Sequence, residues 1–181
     1  MGKPSMVIVL TEDETHQRFV RHYLYQVGYS IHDIRFEALP SGRGCGEQWV
    51  RQRYAGAVRA YRERTPKAKT ALVVVIDADT ADVNQRSNQF HQALRQEGLG
   101  PRTASELIAH LIPKRSIETW VLCLHGTPVD ETTDYRAEHD IDQKIPAAAA
   151  TLHKWTRANA TLPESCTASL RAAIPEIKRI E

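Results

Sequence analysis

The stretch that decides the fold is Ala71-Leu72-Val73-Val74-Val75-Ile76-Asp77-Ala78-Asp79, a short apolar run that ends in two aspartates. A run of this length, rich in β-branched residues, is typical of a strand buried on both faces in a parallel sheet covered by helices. Such sheets bind their ligands at the carboxyl ends of the strands. Because residues two apart in an extended chain point to the same face, we expect Asp77 and Asp79 to direct their oxygens to a common point. Mg²⁺ and Mn²⁺ prefer carboxylate oxygens, so the stretch predicts a metal site at the end of a strand.

The Asp-x-Asp pattern also occurs in other contexts. Two aspartates at this position can cap the following helix without any catalytic role. The same pattern opens the fold of phosphatases that use an aspartyl nucleophile, and it bridges a metal in nucleotide-sugar transferases. The rest of the chain must therefore decide among these alternatives.

The composition is that of an ordinary globular protein. The chain has 181 residues, of which 41% are hydrophobic and 25% charged, which is within the size of one domain with a proper core. Its formal net charge is only +2, so nucleic-acid binding would depend on local basic patches. The apolar runs are too short to cross a bilayer and no signal peptide is visible, so we expect a cytoplasmic protein without a membrane partner. The three cysteines lack Cys-x-x-Cys spacing, which favours reduced thiols.

Strands and helices are predicted to alternate along much of the chain. The predicted strands cover residues 6–10, 31–39, 71–76 and 105–113, and the predicted helices cover 15–26, 49–61, 83–96 and 116–124. This alternation predicts an α/β fold with a mostly parallel central sheet flanked by helices. Further on, we expect a polar loop over 127–134 and helices over 147–157 and 170–180. We therefore interpret residues 1–126 as the α/β core and residues 127–181 as a loop and helical extension of the same domain.

The first predicted strand also leads into acidic residues, because Glu12 follows Val9-Leu10-Thr11. Two parallel strands that both end in carboxylates bring those groups to the same edge of the sheet. Glu12, Asp77 and Asp79 therefore form a candidate metal site.

Three motifs, in this order, resemble those of a known family. The first is Glu12-Asp13-Glu14-Thr15-His16-Gln17-Arg18-Phe19-Val20, the second is the Asp77-Ala78-Asp79 strand end, and the third is Pro113-Lys114-Arg115-Ser116-Ile117-Glu118-Thr119-Trp120-Val121-Leu122. Together they extend over residues 6–125 and are similar to the Toprim fold of topoisomerases, bacterial primases and OLD nucleases. Within that group they most resemble small stand-alone bacterial proteins of the RloB-like kind, whose first motif reads Glu-Gly-x-Thr-Glu-x-x-Phe-Val. Asp13 stands where that motif has glycine.

The resemblance implies a Toprim-like domain with a nuclease site. In it Glu12 would act as general acid or base or as a metal ligand, and Asp77 and Asp79 would hold Mg²⁺ or Mn²⁺. A divalent ion at such a site polarises a phosphodiester, activates water and offsets charge on the leaving oxygen. Glu118 is a fourth acid, which would complete a second metal site, orient Lys114 or cap its own helix. The resemblance also suggests a role in bacterial defence against phage, with a separate ATPase as partner.

Basic residues that could hold a polyanion occur in two places. Lys114 and Arg115 precede the last predicted helix of the core, close to the expected position of the scissile phosphate. The glycine-rich loop 42–46 contains Arg43 and precedes a helix with several arginines, among them Arg51, an arrangement that often binds anions. The loop lacks the Gly-Lys-Ser/Thr of a Walker A motif, so ATP binding is not expected. The competing interpretation is a solvated helix face whose glycines serve only the turn.

The histidines show no spacing typical of a zinc site. His16, close after Glu12, and His125, after the helix of the third motif, are candidates for proton carriers, with a structural role as the alternative. Cys45 has no recognisable histidine partner, so a thiol nucleophile is not expected.

Three functions compete. The first is a Mg²⁺- or Mn²⁺-dependent nuclease of Toprim type that hydrolyses DNA or RNA phosphodiesters. The second is a non-catalytic Toprim scaffold that binds nucleic acid or a partner ATPase, for which Asp77 and Asp79 would be dispensable. The third is a phosphatase with Asp77 as covalent nucleophile, which would need Asp77 in the first strand, whereas here Glu12 precedes it. Aromatic residues on the predicted 49–61 helix leave room for a homodimer.

Overall fold

The computed structural model describes residues 3–39 and 46–181. Within these ranges a four-stranded parallel sheet has the order β2-β1-β3-β4 and consists of β1 (Met6–Leu10), β2 (Ile34–Phe36), β3 (Thr70–Val75) and β4 (Ile108–Leu111). The same ranges contain six α-helices: α1 (Glu14–Gln26), α2 (Gly46–Arg64), α3 (Val83–Gln96), α4 (Ile117–His125), α5 (Ile141–Thr156) and α6 (Ala168–Ile177). The predicted α/β fold with a mostly parallel sheet is confirmed. None of the helices described is long and apolar enough to cross a membrane.

The strands divide their side chains between two apolar layers, because successive side chains of a strand point to opposite faces of the sheet. On β1, Val7 and Val9 pack into a core with α1, α4, α5 and α6, whereas Ile8 and Leu10 pack into a second core with α2 and α3. β3 alternates in the same way and is buried along its whole length, as the apolar run 71–76 predicted. Helices therefore cover both faces of the sheet.

The connections between strands place a crevice between β1 and β3. After β1 the chain crosses to β2 through α1 on one face, and after β2 it crosses to β3 through α2 on the other face. β2 and β3 therefore lie on opposite sides of β1. In open parallel sheets, ligands bind at this reversal, outside the carboxyl ends of the two strands. Glu12 follows β1 and Asp77 follows β3, so both residues lie at the crevice.

Local signals in the sequence account for several helix ends. Asp13 caps α1, and its carboxylate accepts a hydrogen bond of 3.0 Å from the backbone N of His16. Asp82 caps α3 in the same way through the backbone N of Gln85, at 2.7 Å. α4 begins after Ser116, close to its predicted start, but the Ser116 side chain makes no capping hydrogen bond.

The second predicted strand is much shorter in the structure. Ser30 donates hydrogen bonds to Oδ2 of Asp33 from its backbone N and from its hydroxyl, both at 2.8 Å, and these bonds close a 3-10 turn. Only Ile34–Phe36 then pairs with β1, and Ile31 is 54% exposed. The apolar alternation over 31–39 predicted a longer strand because it takes no account of local side-chain bonds that compete with strand pairing.

The C-terminal extension shares a core with the rest of the described chain. α5 packs against α1 and α4, and α6 packs against β4. α5 starts at Ile141 and not near residue 147, because Ile141 and Ile145 are buried one turn apart. Polar neighbours hide this pair in the sequence, so the helix start was predicted too late.

The outer edge of β4 is occupied by side chains. Glu176 on α6 accepts a hydrogen bond of 2.9 Å from the backbone N of His110. Arg102, which pairs with Glu176, donates a hydrogen bond of 2.8 Å to the carbonyl of Ile108. These side chains engage backbone groups that an open edge strand would offer to another chain.

Candidate acidic centre at the sheet edge

Glu12, Asp77 and Asp79 lie at the crevice, and Glu118 lies near enough for the charge of Asp77 to act on it. These four carboxylates are called the acidic centre. Glu12 and Asp77 are in direct contact, since Oε1 of Glu12 accepts a hydrogen bond of 2.6 Å from the backbone N of Asp77. β1 has ended at this level, so the Glu12 carboxylate takes the place of a backbone carbonyl of β1. On the other side, the backbone N of Ala78 donates to the carbonyl of Pro113 at 2.8 Å. The Asp77 backbone is therefore held from both sides beyond the end of β3.

A buried histidine holds the side chain of Asp77. This side chain is 3% exposed, and its Oδ1 lies 3.0 Å from Nε2 of His16. The other ring nitrogen, Nδ1, lies 2.7 Å from Oδ1 of Asp13. Burial alone would lower the pKa of His16, but the charge of Asp77 and the hydrogen bonds to both aspartates outweigh burial and raise this pKa well above its ordinary value. His16 is therefore a buried imidazolium that donates to both aspartates and orients Asp77.

An arginine contacts the other oxygen of Asp77. Nη2 of Arg136 donates to Oδ2 of Asp77 at 3.2 Å, to Oδ1 of Asp79, and to the carbonyl of Arg115 at 3.2 Å. Asp79 has a left-handed backbone conformation, with φ of 54°, which aspartate tolerates better than most residues. The carboxylates of Asp77 and Asp79 thus converge on the guanidinium of Arg136. They do so because the backbone turns at Asp79, whereas the sequence predicted an extended conformation there.

Burial and mutual repulsion change the proton affinity of the acidic centre. Burial is the main cause that raises the pKa of Glu12 to about 8, with the charges of Asp77 and Asp79 adding and that of His16 opposing. Burial also raises the pKa of Glu118, which is 8% exposed, and the charge of Asp77 adds to the effect. Glu12 therefore keeps its proton to a higher pH than an ordinary glutamate and can exchange it near neutral pH.

A groove of about 390 Å³ opens beside the acidic centre. Glu118 and Arg136 line it together with Thr15 at the start of α1 and residues 138–143, which lead into α5. Because Arg136 lines this groove and also contacts Asp77 and Asp79, the groove adjoins the acidic centre.

The carboxylates match a divalent cation in part. Asp77 and Asp79 both direct an oxygen to the guanidinium of Arg136, so their carboxylates converge on one position. Mg²⁺ is commonly held by one or two carboxylates, with waters in its remaining positions. Within residues 3–39 and 46–181, however, no three His, Cys, Asp or Glu side chains come together as a metal-binding group. The ligand set of Glu12, Asp77 and Asp79 stays a prediction: Oε1 of Glu12 accepts from the Asp77 backbone, whereas Asp77 and Asp79 both contact Arg136.

Two of the predicted phosphate-binding residues lie beside the acidic centre. Nζ of Lys114 donates a hydrogen bond of 2.6 Å to the carbonyl of Ala81, just beyond the Asp79 turn. Nη2 of Arg115 lies 3.0 Å from Oδ2 of Asp134, and the Arg115 carbonyl accepts from Arg136. Lys114 is thus bonded to the chain just after Asp79, and Arg115 is bonded to the arginine that contacts the aspartate pair.

The N-terminus of α2 lies directly against the turn that carries Glu12. A Cβ atom at Gly46 would lie 2.8 Å from the carbonyl oxygen of Glu12 and 3.0 Å from its Cβ, so this close approach requires glycine. Further along α2, Arg51 pairs with Glu47 at 2.8 Å. Arg43 and Cys45 lie outside the described residues. The one described residue of the predicted anion-binding loop therefore serves close packing.

Sequence reasoning missed Arg136 and the role of His16. Arg136 comes 57 residues after Asp79 in a polar, acidic stretch, and no motif marks it. His16 carries a usable signal, because it lies on α1 one turn beyond its helix cap, Asp13. Both of its ring nitrogens face aspartates, so it is not a free proton carrier. His125 is exposed at the end of α4.

Comparisons of the chain with models of protein families, with curated proteins and with solved structures found no significant match. The likeness of residues 6–125 to Toprim proteins therefore rests on the three sequence motifs. Function has to be inferred from those motifs and from the geometry of the acidic centre.

Proposed function

We propose that this protein is a Mg²⁺- or Mn²⁺-dependent hydrolase that cleaves phosphodiester bonds in nucleic acid. The proposal rests mainly on one observation: Asp77 and Asp79 both contact the guanidinium of Arg136. Glu12 is bonded to the Asp77 backbone beside them, at the crevice between β1 and β3. Two carboxylates that share a cation at the carboxyl ends of parallel strands are suited to a divalent ion. The likeness of the three motifs to Toprim proteins supports the same reaction.

The residues of the acidic centre have different roles in the proposed reaction. Asp77 and Asp79 would hold the divalent ion, which when bound polarises the phosphodiester and offsets charge on the leaving oxygen. His16 orients Asp77, because its ring nitrogen Nε2 lies 3.0 Å from Oδ1 of Asp77. Glu12, with its pKa raised to about 8 by burial, can take up or release a proton at the attacking water or the leaving oxygen.

A polyanionic substrate needs cations near the acidic centre. Lys114 and Arg115 lie in the connection between β4 and α4, and Arg136 lies on the aspartate pair, so basic side chains adjoin the place proposed for the phosphate. Because the net charge of the chain is only +2, these local cations would supply the attraction, and binding should weaken as salt is added. DNA and RNA are both candidate substrates.

The motif likeness also supports a biological setting. It favours a cytoplasmic role in bacterial defence against phage, in which a separate ATPase acts as the sensor. In such a pair the ATPase would determine when cleavage occurs, and this protein would supply the hydrolytic site. The purified protein would then be tested both alone and with its partner.

A non-catalytic scaffold is the second candidate, and one observation favours it. His16 and Arg136 already balance much of the negative charge of Asp77 and Asp79 without a metal. A phosphatase with Asp77 as nucleophile has less support, because both carboxylate oxygens of Asp77 are engaged by cations and its side chain is 3% exposed.

The test is an assay of the purified protein on single- and double-stranded DNA and RNA with Mn²⁺ or Mg²⁺. The Asp77→Asn/Asp79→Asn double variant is compared with Glu164→Gln, which removes an exposed carboxylate far along the chain. We expect cleavage that requires the metal and falls by roughly 100-fold or more in the double variant, since metal stabilisation of the transition state is worth several kcal/mol. Circular dichroism establishes that the variants are folded.

Two results would contradict the proposal. Equal cleavage by the native protein and the double variant would place the active site elsewhere. Absence of cleavage on every substrate, together with equal nucleic-acid binding by both proteins, would favour the scaffold.

A further inference from the structure

The guanidinium of Arg136 lies where the proposed function puts the divalent cation. One nitrogen, Nη2, bonds to Asp77 and Asp79 together, and the same nitrogen reaches the Arg115 carbonyl at 3.2 Å. Arg115 is the residue just before the α4 N-cap, so this carbonyl belongs to the same edge of the sheet. Two carboxylates and one carbonyl are oxygen donors of the kind that Mg²⁺ and Mn²⁺ accept, so the arginine occupies a cation position built from oxygens.

Arg136 comes from a segment that has neither helix nor strand. Residues 127–140 connect α4 to α5, and short-range bonds organise the stretch around Arg136, where Asp134 accepts from the backbone N of Arg136 at 3.1 Å. Elsewhere the segment is anchored, because Glu131 accepts a hydrogen bond of 2.9 Å from the backbone N of Ser169 on α6, and Val129 and Tyr135 pack against the core. The Arg136 side chain is 41% exposed. This one side chain can therefore leave the aspartate pair while Val129 and Tyr135 stay packed against the core.

The withdrawn guanidinium would also find other carboxylates. The groove beside the acidic centre is lined by Glu118, Glu138, Asp140 and Asp142 in addition to Arg136 itself. Asp134 pairs with both Arg136 and Arg115, at 3.3 and 3.0 Å. The arginine can thus exchange the aspartate pair for other carboxylates that line the same groove.

We infer that Arg136 competes with the divalent cation for Asp77 and Asp79, so that metal binding and release of the Arg136 side chain are one exchange. This inference rests on the proposed function, in which the two aspartates hold the metal. The guanidinium and a divalent cation repel each other at contact distance, so each weakens the binding of the other to the aspartate pair. The apparent metal affinity of the native protein is then the intrinsic affinity multiplied by the fraction of molecules in which Arg136 has left the pair.

The test is calorimetric titration of the full-length protein with Mn²⁺ alone. Arg136→Gln is compared with Arg157→Gln, which removes the same charge from an exposed position after α5 and so controls for the overall field. We expect Arg136→Gln to bind Mn²⁺ about tenfold or more tightly than the native protein, and Arg157→Gln to bind it with native affinity. Equal or weaker binding by Arg136→Gln would overturn the inference.

Hydrogen exchange provides a second readout that does not depend on a variant. Saturating Mn²⁺ should speed amide exchange in residues 134–138 of the native protein, because the stretch around Arg136 loses its bond to the aspartate pair. Unchanged or slower exchange there would also overturn the inference.

The Asp77→Asn/Asp79→Asn double variant separates this inference from the proposed function. If the double variant loses Mn²⁺ binding but Arg136→Gln does not bind Mn²⁺ more tightly, the metal site is supported and the competition is refuted. Mn²⁺ binding that is absent in all proteins, or unchanged in the double variant, would overturn the metal site and the competition together.

Discussion

Asp77 is the residue on which the acidic centre depends. Its Oδ1 faces His16, its Oδ2 faces Arg136, and its backbone N donates to Glu12. The two cations differ in kind: His16 is 1% exposed and belongs to the core, whereas Arg136 is 41% exposed and belongs to a connecting segment. The buried pair is therefore structural, and the exposed pair is the one that a ligand can replace.

Removing the imidazolium should destabilise the fold. In His16→Ala the buried carboxylate of Asp77 loses its internal partner, and breaking a buried charged pair typically costs about 3–5 kcal/mol. His16→Gln keeps a donor that can reach Asp77, so its loss of stability should be smaller. Urea denaturation measures both variants beside His125→Ala, an exposed position where we expect a change within about 0.5 kcal/mol. A free energy of unfolding for His16→Ala equal to that of His125→Ala would rule out the structural role of His16.

At the scale of the elements, the start of α2 lies very close to the turn that follows β1. The first residue of α2, Gly46, approaches the backbone of Glu12 after β1, so the helix position and the position of a candidate catalytic carboxylate are coupled. Gly56 on the same helix has no neighbour within 4 Å of the place where a Cβ would lie. The two glycines therefore form a matched pair within one helix.

Alanine at these two glycines should have opposite effects. Gly46→Ala would force α2 away from the Glu12 turn, and such overpacking typically costs about 1–3 kcal/mol. Gly56→Ala should leave stability unchanged or raise it by up to about 1 kcal/mol, because alanine loses less backbone entropy in a helix. Thermal and urea unfolding compare the variants, and cleavage assays should show a loss only for Gly46→Ala. Equal stability of the two variants would mean that the start of α2 can shift away from Glu12 without loss of folding free energy.

At the scale of the whole molecule, a buried histidine of β4, His110, joins the sheet to the helices α2 and α3. His110 lies under the ring of Phe90, with centroids 4.7 Å apart, and its Nε2 is 2.9 Å from the hydroxyl of Tyr54. Burial lowers the pKa of His110 to about 3, and the charge of Arg102 adds to the effect while that of Glu176 opposes it. The native protein therefore keeps this imidazole neutral.

The buried imidazole should make the fold sensitive to acid. In the unfolded chain His110 binds a proton below about pH 6.5, whereas in the folded chain it does so only near pH 3, so stability falls as the pH drops below about 6.5. His110→Gln can keep a bond to Tyr54 but cannot titrate. Between pH 6.5 and pH 5 we expect the native protein to lose up to about 2 kcal/mol more than this variant, as measured by urea denaturation at each pH. If the stabilities of the native protein and of His110→Gln change with pH in parallel, the lowered pKa of His110 is contradicted.

Much of the fold could be predicted because its signals are local. Apolar periodicity and caps depend on residues within a few positions of each other, so the strand at Met6–Leu10 and the helix at Val83–Gln96 were predicted with the bounds that the structure has. β2 was predicted too long because the bonds between Ser30 and Asp33 end the extended conformation early.

The amino-acid sequence by itself determined the parallel sheet and the arrival of Glu12 and Asp77 at one edge, because strand period and strand ends are written along the chain. Only the tertiary structure decided what surrounds those carboxylates. The left-handed turn at Asp79 and the arrival of Arg136 from 57 residues away have no local signal. Charges act through space and not along the chain, so a buried carboxylate takes its partners from whichever cations the completed fold brings within contact.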